Sequence, residues 1–413
     1  MKIFQLNQYD ISGGAARAAY RIHHALRQHG IDSTMLVNQA TAGDWTVSCQ
    51  KTKLSKLLVR LRPELAGLLT KALKTENPIL HSPAFVPSEW SKKLNASDAD
   101  IIHLHWINAE MISVADIGQI TKPLVWTLHD MWAFCGAEHY TEDNRWRDGY
   151  LHNNRPIYES GFDLNRWTAN RKLKHWRTPM HIVASSRWLA DCAKKSVLMR
   201  EWPITVIPLA IDVDIWKPMD KRIARQLLNL PLDTHLVLFG AMGGGNDLRK
   251  GFDLLSNAIR QLRGLSSKLE LLVFGQLAPQ NPIDLGFPIH YTGHLHDDIS
   301  LRLLYCAADV MVVPSRQEAF GQTGSEAQCC GTPVVIFDST GLRDLVVHEQ
   351  TGYLAKPFSH ADLANGIKWV LEDEERHVRL STQARERAVR LWSNEVVAKQ
   401  YMEIYQQAAV KKR

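Results

Sequence analysis

The sequence predicts an α/β protein that carries two doubly wound parallel sheets in series. Short, continuously apolar runs alternate with segments of helical periodicity, as expected for strands that are buried on both faces. This alternation breaks near residues 210–219 and then starts again. A length of 413 residues is enough for two or three domains, so we expect one sheet on each side of the break.

The individual elements follow from the apolar pattern. The first half has predicted strands at 2–6, 31–37, 99–105, 124–128, 181–185 and 205–208, and an amphipathic helix at 15–29 that ends at a glycine. The second half has predicted strands at 236–239, 269–274, 289–291, 310–313 and 333–337, with helices at 251–262, 299–308 and 324–330. From residue 361 the chain is predicted to be helical to its end.

Composition narrows the class of protein. Lysine and arginine total 49 against 43 acidic residues, and a net charge of +6 is too mild to indicate a dedicated nucleic-acid binder. The six cysteines show no spacing typical of a zinc site, so we expect reduced thiols and no bound metal. The first residues turn polar too soon for a signal peptide, and no apolar run is long enough to span a bilayer. These features predict a cytoplasmic location.

Residues 51–74 depart from the alternation of strands and helices. Leucines recur there at helical spacing, while the opposite face carries lysines and arginines against a single acidic residue, Glu64. We expect Pro63 to kink this helix or divide it in two. The segment fits a helix that lies on an anionic membrane surface, such as the inner face of the plasma membrane, or one that packs its leucines on the first domain; both can hold together.

A second unusual segment, 139–177, is polar and rich in tryptophan and arginine. We interpret it as a long insertion over the mouth of the first domain. An alternative interpretation is a surface for nucleic acid, because Trp146, Trp167 and Trp176 lie among basic residues and could stack bases.

Two glycine-containing motifs follow predicted strands, at the edge where open α/β sheets bind ligands. Gly13 and Gly14 open the first helix, where free amides attract phosphate. Lys250, next to Arg249, follows the glycine run 243–245, and a cation there can neutralise a diphosphate. Taken singly, each motif also fits an ordinary tight or solvated turn.

A third motif extends from Glu318 to Glu326. Glu318 is predicted on a loop and Glu326 in the first turns of the next helix, and an ionised carboxylate is a good acceptor for sugar hydroxyls. For Glu326 the alternative is a favourable acidic residue near a helix N-terminus. Four residues between them have amides that can face an anion: Phe320, Gly321, Gln322 and Thr323.

His129 follows strand 124–128 within the phrase Thr-Leu-His-Asp-Met-Trp, and a histidine at the carboxyl end of a strand is a candidate for function. Together with the three motifs and the run Cys-Gly-Thr-Pro-Val-Val at 330–335, it makes the sequence similar to glycosyltransferase family 4 over nearly the whole chain. The phrase around His129 resembles the branch of bacterial exopolysaccharide enzymes typified by colanic-acid glycosyltransferases.

The resemblance implies the GT-B fold, with two Rossmann-like domains that face a central cleft. It implies an acceptor-side domain at 1–212, a nucleotide-sugar domain at 213–393, and a final helix, about 394–413, that crosses back to the first domain. The implied activity is the retaining transfer of a hexose from a nucleotide diphosphate sugar to a hydroxyl of a polyprenyl-diphosphate-linked or saccharide acceptor, in the synthesis of bacterial surface polysaccharide. The nucleotide sugar is a co-substrate, and no other cofactor or metal is implied.

The same resemblance implies residue roles. Glu326 would hold the ribose and Glu318 the hydroxyls of the donor sugar. Lys250, with Arg249, would bind the diphosphate, and His129 would lie beside the sugar near the reacting carbon. The other implied donor contacts are the amides of Gly13, Gly14 and residues 320–323 at the phosphates, and Gly293, His294 and Leu295 at the base.

Two other classes remain open at this point. A sugar-nucleotide epimerase or hydrolase on the same fold would act on the donor without an acceptor. A non-catalytic basic protein would use the stretch 145–177 within the insertion 139–177 to bind nucleic acid.

Overall fold

A computed structural model describes residues 1–49, 53–240, 247–263, 268–281, 283–295 and 297–410. The glycine run at 243–245 and the first residues of the segment 51–74 lie outside these ranges. The chain forms two compact units: unit 1 contains Met1–Ala210 and Val397–Arg413, and unit 2 contains Ile211–Val396.

Unit 1 is built on a parallel sheet, as fully buried, mostly apolar strands such as Ile101–Leu104 favour. Its strands are β1 Lys2–Tyr9, β2 Asp32–Gln39, β3 Val47–Cys49, β4 Leu73–Thr75, β5 Ile101–Leu104, β6 Leu124–Leu128, β7 Glu159–Gly161, β8 His181–Ala184 and β9 Ile204–Val206. Its helices are α1 Gly14–Gln28, α2 Lys53–Lys71, α3 Trp90–Asn95, α4 Val114–Gly118, α5 Arg145–Asp148, α6 Leu164–His175 and α7 Arg187–Lys195. Within the described ranges the main sheet has seven strands in the order β3-β2-β1-β5-β6-β8-β9, and β4 pairs with β7 as a separate antiparallel ribbon.

Unit 2 repeats the same principle. Its strands are β10 His235–Gly240, β11 Leu269–Phe274, β12 Ile289–Tyr291, β13 Val310–Val313, β14 Val334–Phe337 and β15 Gly352–Ala355. Its helices are α8 Lys221–Leu227, α9 Phe252–Gln261, α10 Asp298–Ala307, α11 Gln322–Cys329, α12 His360–Leu371 and α13 Glu374–Trp392. The described strands form one parallel sheet of six, in the order β12-β11-β10-β13-β14-β15, and its core contains Val237, Leu271 and Val312.

The last helix, α14 Asn394–Val410, belongs to unit 1 from Val397 onwards. Two of its tyrosines reach the sheet of that unit. The hydroxyl of Tyr405 lies 2.7 Å from His103 Nδ1, and that of Tyr401 lies 2.8 Å from Thr127 Oγ1. These buried hydrogen bonds fix the end of the chain against β5 and β6.

The structure corrects some details of the sequence analysis. Pro63 lies inside a single helix, α2, so the division in two was wrong. A proline removes one backbone hydrogen bond within the helix, while the neighbouring Arg62 holds the helix to another part of unit 1 by donating to the carbonyls of Val86 and Glu110 at 2.6 and 2.7 Å. The short strands β3, β4, β7 and β15 were not predicted, because three or four residues carry little periodicity.

Candidate functional site

In unit 2 the strand order reverses between β10 and β13, and open α/β sheets bind ligands at this switch point. The loop after β10 carries Lys250 in a short 3₁₀ turn. The loop after β13 carries Glu318, and α11 begins a few residues later. The two predicted site residues therefore come from loops that leave adjacent strands at the same edge of the sheet.

Gly251 fixes the position of the Lys250 turn. Its φ is 70°, in the left-handed region, and a Cβ at this residue would lie 2.0 Å from the carbonyl oxygen of Pro314. A larger residue would push the turn away from the end of β13. The glycine thus allows the close approach that brings Lys250 to the loop of Glu318.

Lys250 and Glu318 form an ion pair, with 2.5 Å between Nζ and Oε1. The hydroxyl of Ser315 donates to the same carboxylate oxygen at 3.1 Å. Burial alone raises the pKa of Glu318, but the charges of Lys250 and Arg249 and these hydrogen bonds outweigh it, so the pKa lies below its ordinary value. Glu318 is ionised at neutral pH and can only accept hydrogen bonds, as recognition of hydroxyls requires.

Arg249 joins the two loops. Its guanidinium donates to the carbonyl of Gln317 at 3.1 Å and to Asp247 at 3.0 Å, and its own carbonyl accepts from the Arg316 amide at 2.8 Å. The charge of Arg249 therefore stays close to Glu318, while its donors are used within the protein. Of the two cations, Lys250 is the better placed to bind a ligand.

Helix α11 opens toward the same edge. Gly321 precedes it with φ of 98°, and no side chain caps the helix. A Cβ at Gly321 would lie 2.8 Å from Leu342 and 2.9 Å from Leu345, so this turn requires glycine. The first amides of a helix have no partner within the helix and attract anions. Of the predicted contacts here, Phe320 is buried, whereas Gln322 and Thr323 are partly exposed.

Glu326 lies in the second turn of α11 and is 5% exposed. The hydroxyl of Tyr305 donates to its Oε2 at 2.8 Å. The favourable interaction of a carboxylate with the helix dipole falls off beyond the first turn. The alternative interpretation of Glu326, as an acidic residue that only stabilises a helix N-terminus, is therefore weak. The hydrogen bond from Tyr305 explains how a carboxylate can be buried at this position.

The turn of Gly293, His294 and Leu295 follows β12. Gly293 has φ of 70°, and its carbonyl accepts from the amide of Gly275, which follows β11, at 2.8 Å. Because β11 and β12 succeed β10 in the sheet, this turn lies at the same edge as the Lys250 turn. The structure thus brings all the predicted donor contacts of unit 2 to one edge.

In unit 1 the corresponding switch point lies between β1 and β5. Gly13, with φ of 92°, precedes α1 without a side-chain cap, and Gly14 is the first residue of the helix. Asp10 shapes the loop before them by accepting from the amides of Thr41 and Ala42 at 2.6 and 2.7 Å. The predicted glycines therefore stand where a parallel sheet offers helix amides to an anion.

His129 is the first residue after β6 and is partly buried. Its Nε2 lies 3.1 Å from Nδ1 of His105, the first residue after β5. Burial lowers the pKa of His129 to about 4, although the charge of Asp130 acts in the other direction. Asp130 itself is hydrogen-bonded to His139 at 2.6 Å. His129 is therefore a neutral imidazole held by another histidine.

The basic and aromatic segment 139–177 is engaged in internal contacts. The buried Arg145 forms ion pairs with Glu159 and Asp163 at 3.1 and 2.8 Å. Trp176 is buried and donates to the Val114 carbonyl at 2.8 Å. A surface that stacks bases needs exposed aromatic rings, so these contacts do not favour nucleic-acid binding.

Among the described residues, one group has the spacing of metal ligands. His23, His24 and Asp44 each offer one ligand atom, and these atoms lie within 4.8 Å of one another. Both ring nitrogens of His23 are hydrogen-bonded to hydroxyls, those of Ser33 at 2.9 Å and Thr46 at 2.8 Å. No predicted site residue belongs to this group.

Comparison with known proteins places this architecture in a family. The family model described as Glycosyltransferase Family 4 matches residues 12–215, and the model described as Glycosyl transferases group 1 matches residues 242–387. The chain belongs to the family 4 glycosyltransferases, a class of enzymes with the GT-B fold. The predicted family and fold class are confirmed.

Curated relatives include D-inositol 3-phosphate glycosyltransferases. The one from Xylanimonas cellulosilytica is 33% identical over 224 residues, which cover 50% of this chain and 51% of the relative. The one from Stackebrandtia nassauensis is 34% identical over 212 residues, 46% of each chain. The chain thus spans about half the length of the curated relatives it matches.

Solved structures match the fold almost end to end. Sucrose-phosphate synthase from Thermosynechococcus elongatus has a TM-score of 0.68 at 20% identity and covers 98% of both chains. HepE from Anabaena, in complex with UDP-glucose, has a TM-score of 0.66 at 19% identity and covers 98% of this chain and 100% of its own. WaaG, a glycosyltransferase involved in lipopolysaccharide biosynthesis, has a TM-score of 0.65 at 18% identity and covers 98% of this chain and 99% of its own.

Sequence reasoning missed three polar residues of these sites: Ser315, His105 and Gln5, whose side-chain oxygen lies 2.8 Å from Nε2 of His105. His105 ended the predicted strand 99–105, so its place at a sheet edge was available as a signal. Gln5 is a polar residue within an apolar strand, and such a residue needs a buried partner. Which partner it finds depends on the strand order.

Proposed function

We propose that this glycosyltransferase moves a hexose from a nucleotide diphosphate sugar to a hydroxyl of a lipid-linked or oligosaccharide acceptor in the synthesis of bacterial surface polysaccharide. The observation that carries the proposal is the Lys250–Glu318 ion pair at the switch point of unit 2, at the edge where α11 begins. A cation and helix amides suit a diphosphate, and an ionised carboxylate suits sugar hydroxyls.

In the proposed reaction the bond between the anomeric carbon and the diphosphate oxygen breaks, and the acceptor oxygen bonds to the same face of that carbon. The proton of the acceptor hydroxyl passes to the departing diphosphate, so no base from the protein is needed. Lys250 Nζ and the first amides of α11 stabilise the negative charge that develops on the leaving group. Glu318 already holds Lys250, so we assign it to the sugar hydroxyls and not to nucleophilic attack.

The remaining roles follow the same proposal. Glu326 accepts from the ribose, Arg249 adds positive charge near the diphosphate, and the turn 293–295 contacts the base. His129, neutral at physiological pH because burial lowers its pKa to about 4, forms a hydrogen bond with the transferred sugar. UDP-sugars are the first donors to test, because the similar structure of HepE contains UDP-glucose.

A thermal-shift panel of UDP-, GDP-, ADP- and dTDP-glucose tests donor binding. A ligand at about 100 times its dissociation constant stabilises a protein by roughly 2.7 kcal/mol. We expect one nucleotide sugar to stabilise the wild type and Glu375→Ala, a variant of an exposed glutamate, but not Glu326→Ala. Equal stabilisation of all three proteins would show that Glu326 does not contribute to donor binding.

Product analysis with the same donor tests transfer. Release of an epimer or of free sugar at full rate without any acceptor would support the epimerase or hydrolase alternative. Label that enters a lipid-linked or oligosaccharide acceptor with retained anomeric configuration is the expected result. No stabilisation by any of the four nucleotide sugars would contradict the proposal at its first step.

We also propose that α2 attaches the protein to an anionic membrane surface. Its leucine stripe is exposed, with Leu57, Leu61, Leu65 and Leu68 at 53%, 48%, 50% and 68%. Another side of the helix packs on the rest of unit 1 through the buried Ala66 and through Leu69. Packing on the first domain therefore does not account for the leucine stripe, and the neighbouring exposed cations Arg60 and Lys71 favour an anionic surface. Among the helices described, none combines the length and hydropathy of a bilayer-spanning segment.

Flotation with phosphatidylglycerol-containing vesicles tests this attachment. We expect the double change Leu61→Ser and Leu65→Ser to abolish co-flotation. The matched control is Leu227→Ser, which changes a leucine on α8 of unit 2 that is 65% exposed. Equal flotation of all proteins, or equal binding to vesicles of phosphatidylcholine alone, would contradict the proposal.

A further inference from the structure

A continuous chain of hydrogen bonds runs through unit 1 from His129 to Asp44. Its contacts, in order, are His129 Nε2 to His105 Nδ1 at 3.1 Å, His105 Nε2 to Gln5 Oε1 at 2.8 Å, Gln5 Nε2 to Ser33 Oγ at 2.8 Å, Ser33 Oγ to His23 Nδ1 at 2.9 Å, His23 Nε2 to Thr46 Oγ1 at 2.8 Å, and Thr46 Oγ1 to Asp44 Oδ1 at 2.7 Å. All five intermediate residues are buried. Buried polar groups that bond only to each other leave few choices for the placement of their protons.

Asp44 determines which group donates in each hydrogen bond of this chain. Its carboxylate accepts from the amide of Thr46 at 2.7 Å and from the hydroxyl of Tyr20 at 2.9 Å, and it pairs with His24 at 2.9 Å. Burial acts to raise the pKa of Asp44, but the hydrogen bonds from Thr46 and Tyr20 and the charge of His24 lower it to about 2. An ionised carboxylate has no proton to give, so the single proton of the Thr46 hydroxyl must point to Asp44.

The proton positions of His23 and Ser33 and the orientation of the Gln5 amide are then fixed. Thr46 can only accept from His23, so His23 carries its proton on Nε2. Burial lowers the pKa of His23 to about 3, which keeps the ring neutral and leaves Nδ1 without a proton. Nδ1 therefore accepts from the hydroxyl of Ser33. Ser33 in turn accepts from the amide nitrogen of Gln5, and this orients the carbonyl oxygen of Gln5 toward His105.

The proton positions of His105 and His129 are fixed in the same way. His105 must donate from Nε2 to the Gln5 carbonyl oxygen. Burial lowers the pKa of His105 well below its ordinary value, so its Nδ1 has no proton and accepts from His129. His129 thus donates from Nε2, and because its ring is neutral too, Nδ1 is left with a lone pair.

We infer that Asp44 sets the tautomer of His129 through this hydrogen-bond chain, so that His129 offers an unprotonated Nδ1 to its ligand. That ligand group must donate a hydrogen bond, as a sugar hydroxyl does and an ionised phosphate oxygen does not. The inference rests on the proposed function for the identity of the ligand as a sugar. His105 and Gln5 then act as positioning residues for His129, although neither needs to touch a substrate.

The tautomers can be measured directly by long-range ¹H–¹⁵N correlation spectra of the full chain, labelled with ¹⁵N-histidine. EDTA is present because His23 and Asp44 have metal-ligand spacing. We expect His23, His105 and His129, each assigned by a His→Gln variant, to carry the proton on Nε2 at pH 7. A proton on Nδ1 of any of these three rings would overturn the inference.

Thr46→Val, with Thr46→Ser as its matched control, tests transmission through the chain. Valine has the shape of threonine without the hydroxyl, so it removes the acceptor for His23 Nε2–H and lets every bond of the chain reverse. We expect His129 to move to the Nδ1–H form in Thr46→Val and to remain in the Nε2–H form in Thr46→Ser. A wild-type tautomer at His129 in a folded Thr46→Val would overturn the inference.

Transfer activity is a second and separate readout. We expect kcat to fall in Thr46→Val and to recover in Thr46→Ser, with a small change in KM for the nucleotide sugar. The NMR result does not depend on any substrate. If no nucleotide sugar binds, the proposed function fails while the tautomer measurement still decides the inference.

Discussion

Units 1 and 2 both place candidate residues at the carboxyl ends of parallel strands, but the chemistry of these residues differs. In unit 2 the ion pair with Lys250 keeps Glu318 charged, because the attraction of the cation opposes the effect of burial on the carboxyl group. In unit 1 the ring of His129 is bonded to His105, and burial keeps it neutral, while the nearby Asp130 is bonded to His139. The carboxyl edge of a parallel sheet thus carries a charged site in unit 2. In unit 1 it carries a neutral site, whose recognition depends on the direction of a hydrogen bond.

The strand order therefore sets where a site forms, while the partners of each side chain set its chemistry. A charged site suits a diphosphate, whose recognition depends on Coulomb attraction. A neutral histidine suits hydroxyls, whose recognition depends on the direction of a hydrogen bond. Four predictions test this contrast.

The largest effect is expected for Lys250→Met. It removes the cation proposed to stabilise the leaving diphosphate and leaves Glu318 without its ion pair, so turnover should fall by about 10²- to 10³-fold. Steady-state kinetics with the best donor measure it. Lys356→Met, which changes an exposed lysine of the same unit, should be as active as the wild type. Wild-type kinetics in Lys250→Met would show that the charge of Lys250 does not contribute to turnover.

Gly251→Ala tests whether close packing positions that charge. Its Cβ would lie 2.0 Å from the Pro314 carbonyl oxygen, and φ is 70°, so we expect a loss of about 1–3 kcal/mol in unfolding free energy together with lower turnover. Gly43→Ala is the matched control, because Gly43 also has φ of 70° but has nothing within 4 Å of its Cβ. Equal losses in both variants would show that backbone strain alone matters at Gly251.

Acidification should remove the contributions of His23 in unit 1 and Glu318 in unit 2 over different pH ranges. The folded-state pKa of His23 is about 3, below its ordinary value of 6.5, so its stabilising contribution is complete above pH 6.5 and is lost as the pH falls toward 3. The loss amounts to at most about 1.4 kcal/mol per pH unit. The pKa of Glu318 is lowered from 4.5, so the contribution of its ion pair is lost only at lower pH.

Urea unfolding at pH 5 and pH 7 separates these contributions. We expect His23→Gln to reduce the difference in unfolding free energy between the two pH values. Glu318→Gln should destabilise the protein by a similar amount at both. If His23→Gln keeps the full pH dependence of the wild type, the neutral state of His23 does not contribute to stability in the expected way.

The smallest effect is expected for Ser315→Ala. It removes one hydrogen bond of 3.1 Å to Glu318 while the ion pair with Lys250 stays, so the loss should be about 0.5–1.5 kcal/mol in unfolding free energy, with turnover within a few-fold of the wild type. Thermal denaturation and steady-state kinetics measure both. A loss of activity as large as that of Lys250→Met would mean that Ser315, and not the cation, positions Glu318.

Much of the fold could be predicted from local pattern. Strands such as β6, β11 and β13 were predicted at their observed bounds, because a strand buried on both faces is a continuous apolar run flanked by polar residues. The short strands β3 and β15 were missed, since their strand character comes from pairing with β2 and β14. The alternative that Pro63 divides its helix was wrong, because a single helix continues through it, and Arg62 bonds to carbonyls outside that helix.

The fold class, the family and the candidate residues could be predicted from the sequence, because they depend on periodicity and on motifs that are contiguous in the chain. The contacts of those residues, and with them which residues are charged and which are neutral, became known from the three-dimensional structure. The Lys250–Glu318 pair and the chain from His129 to Asp44 join residues that are distant in sequence. Such contacts, and the proton positions that follow from them, depend on strand order and on burial, which no local pattern specifies.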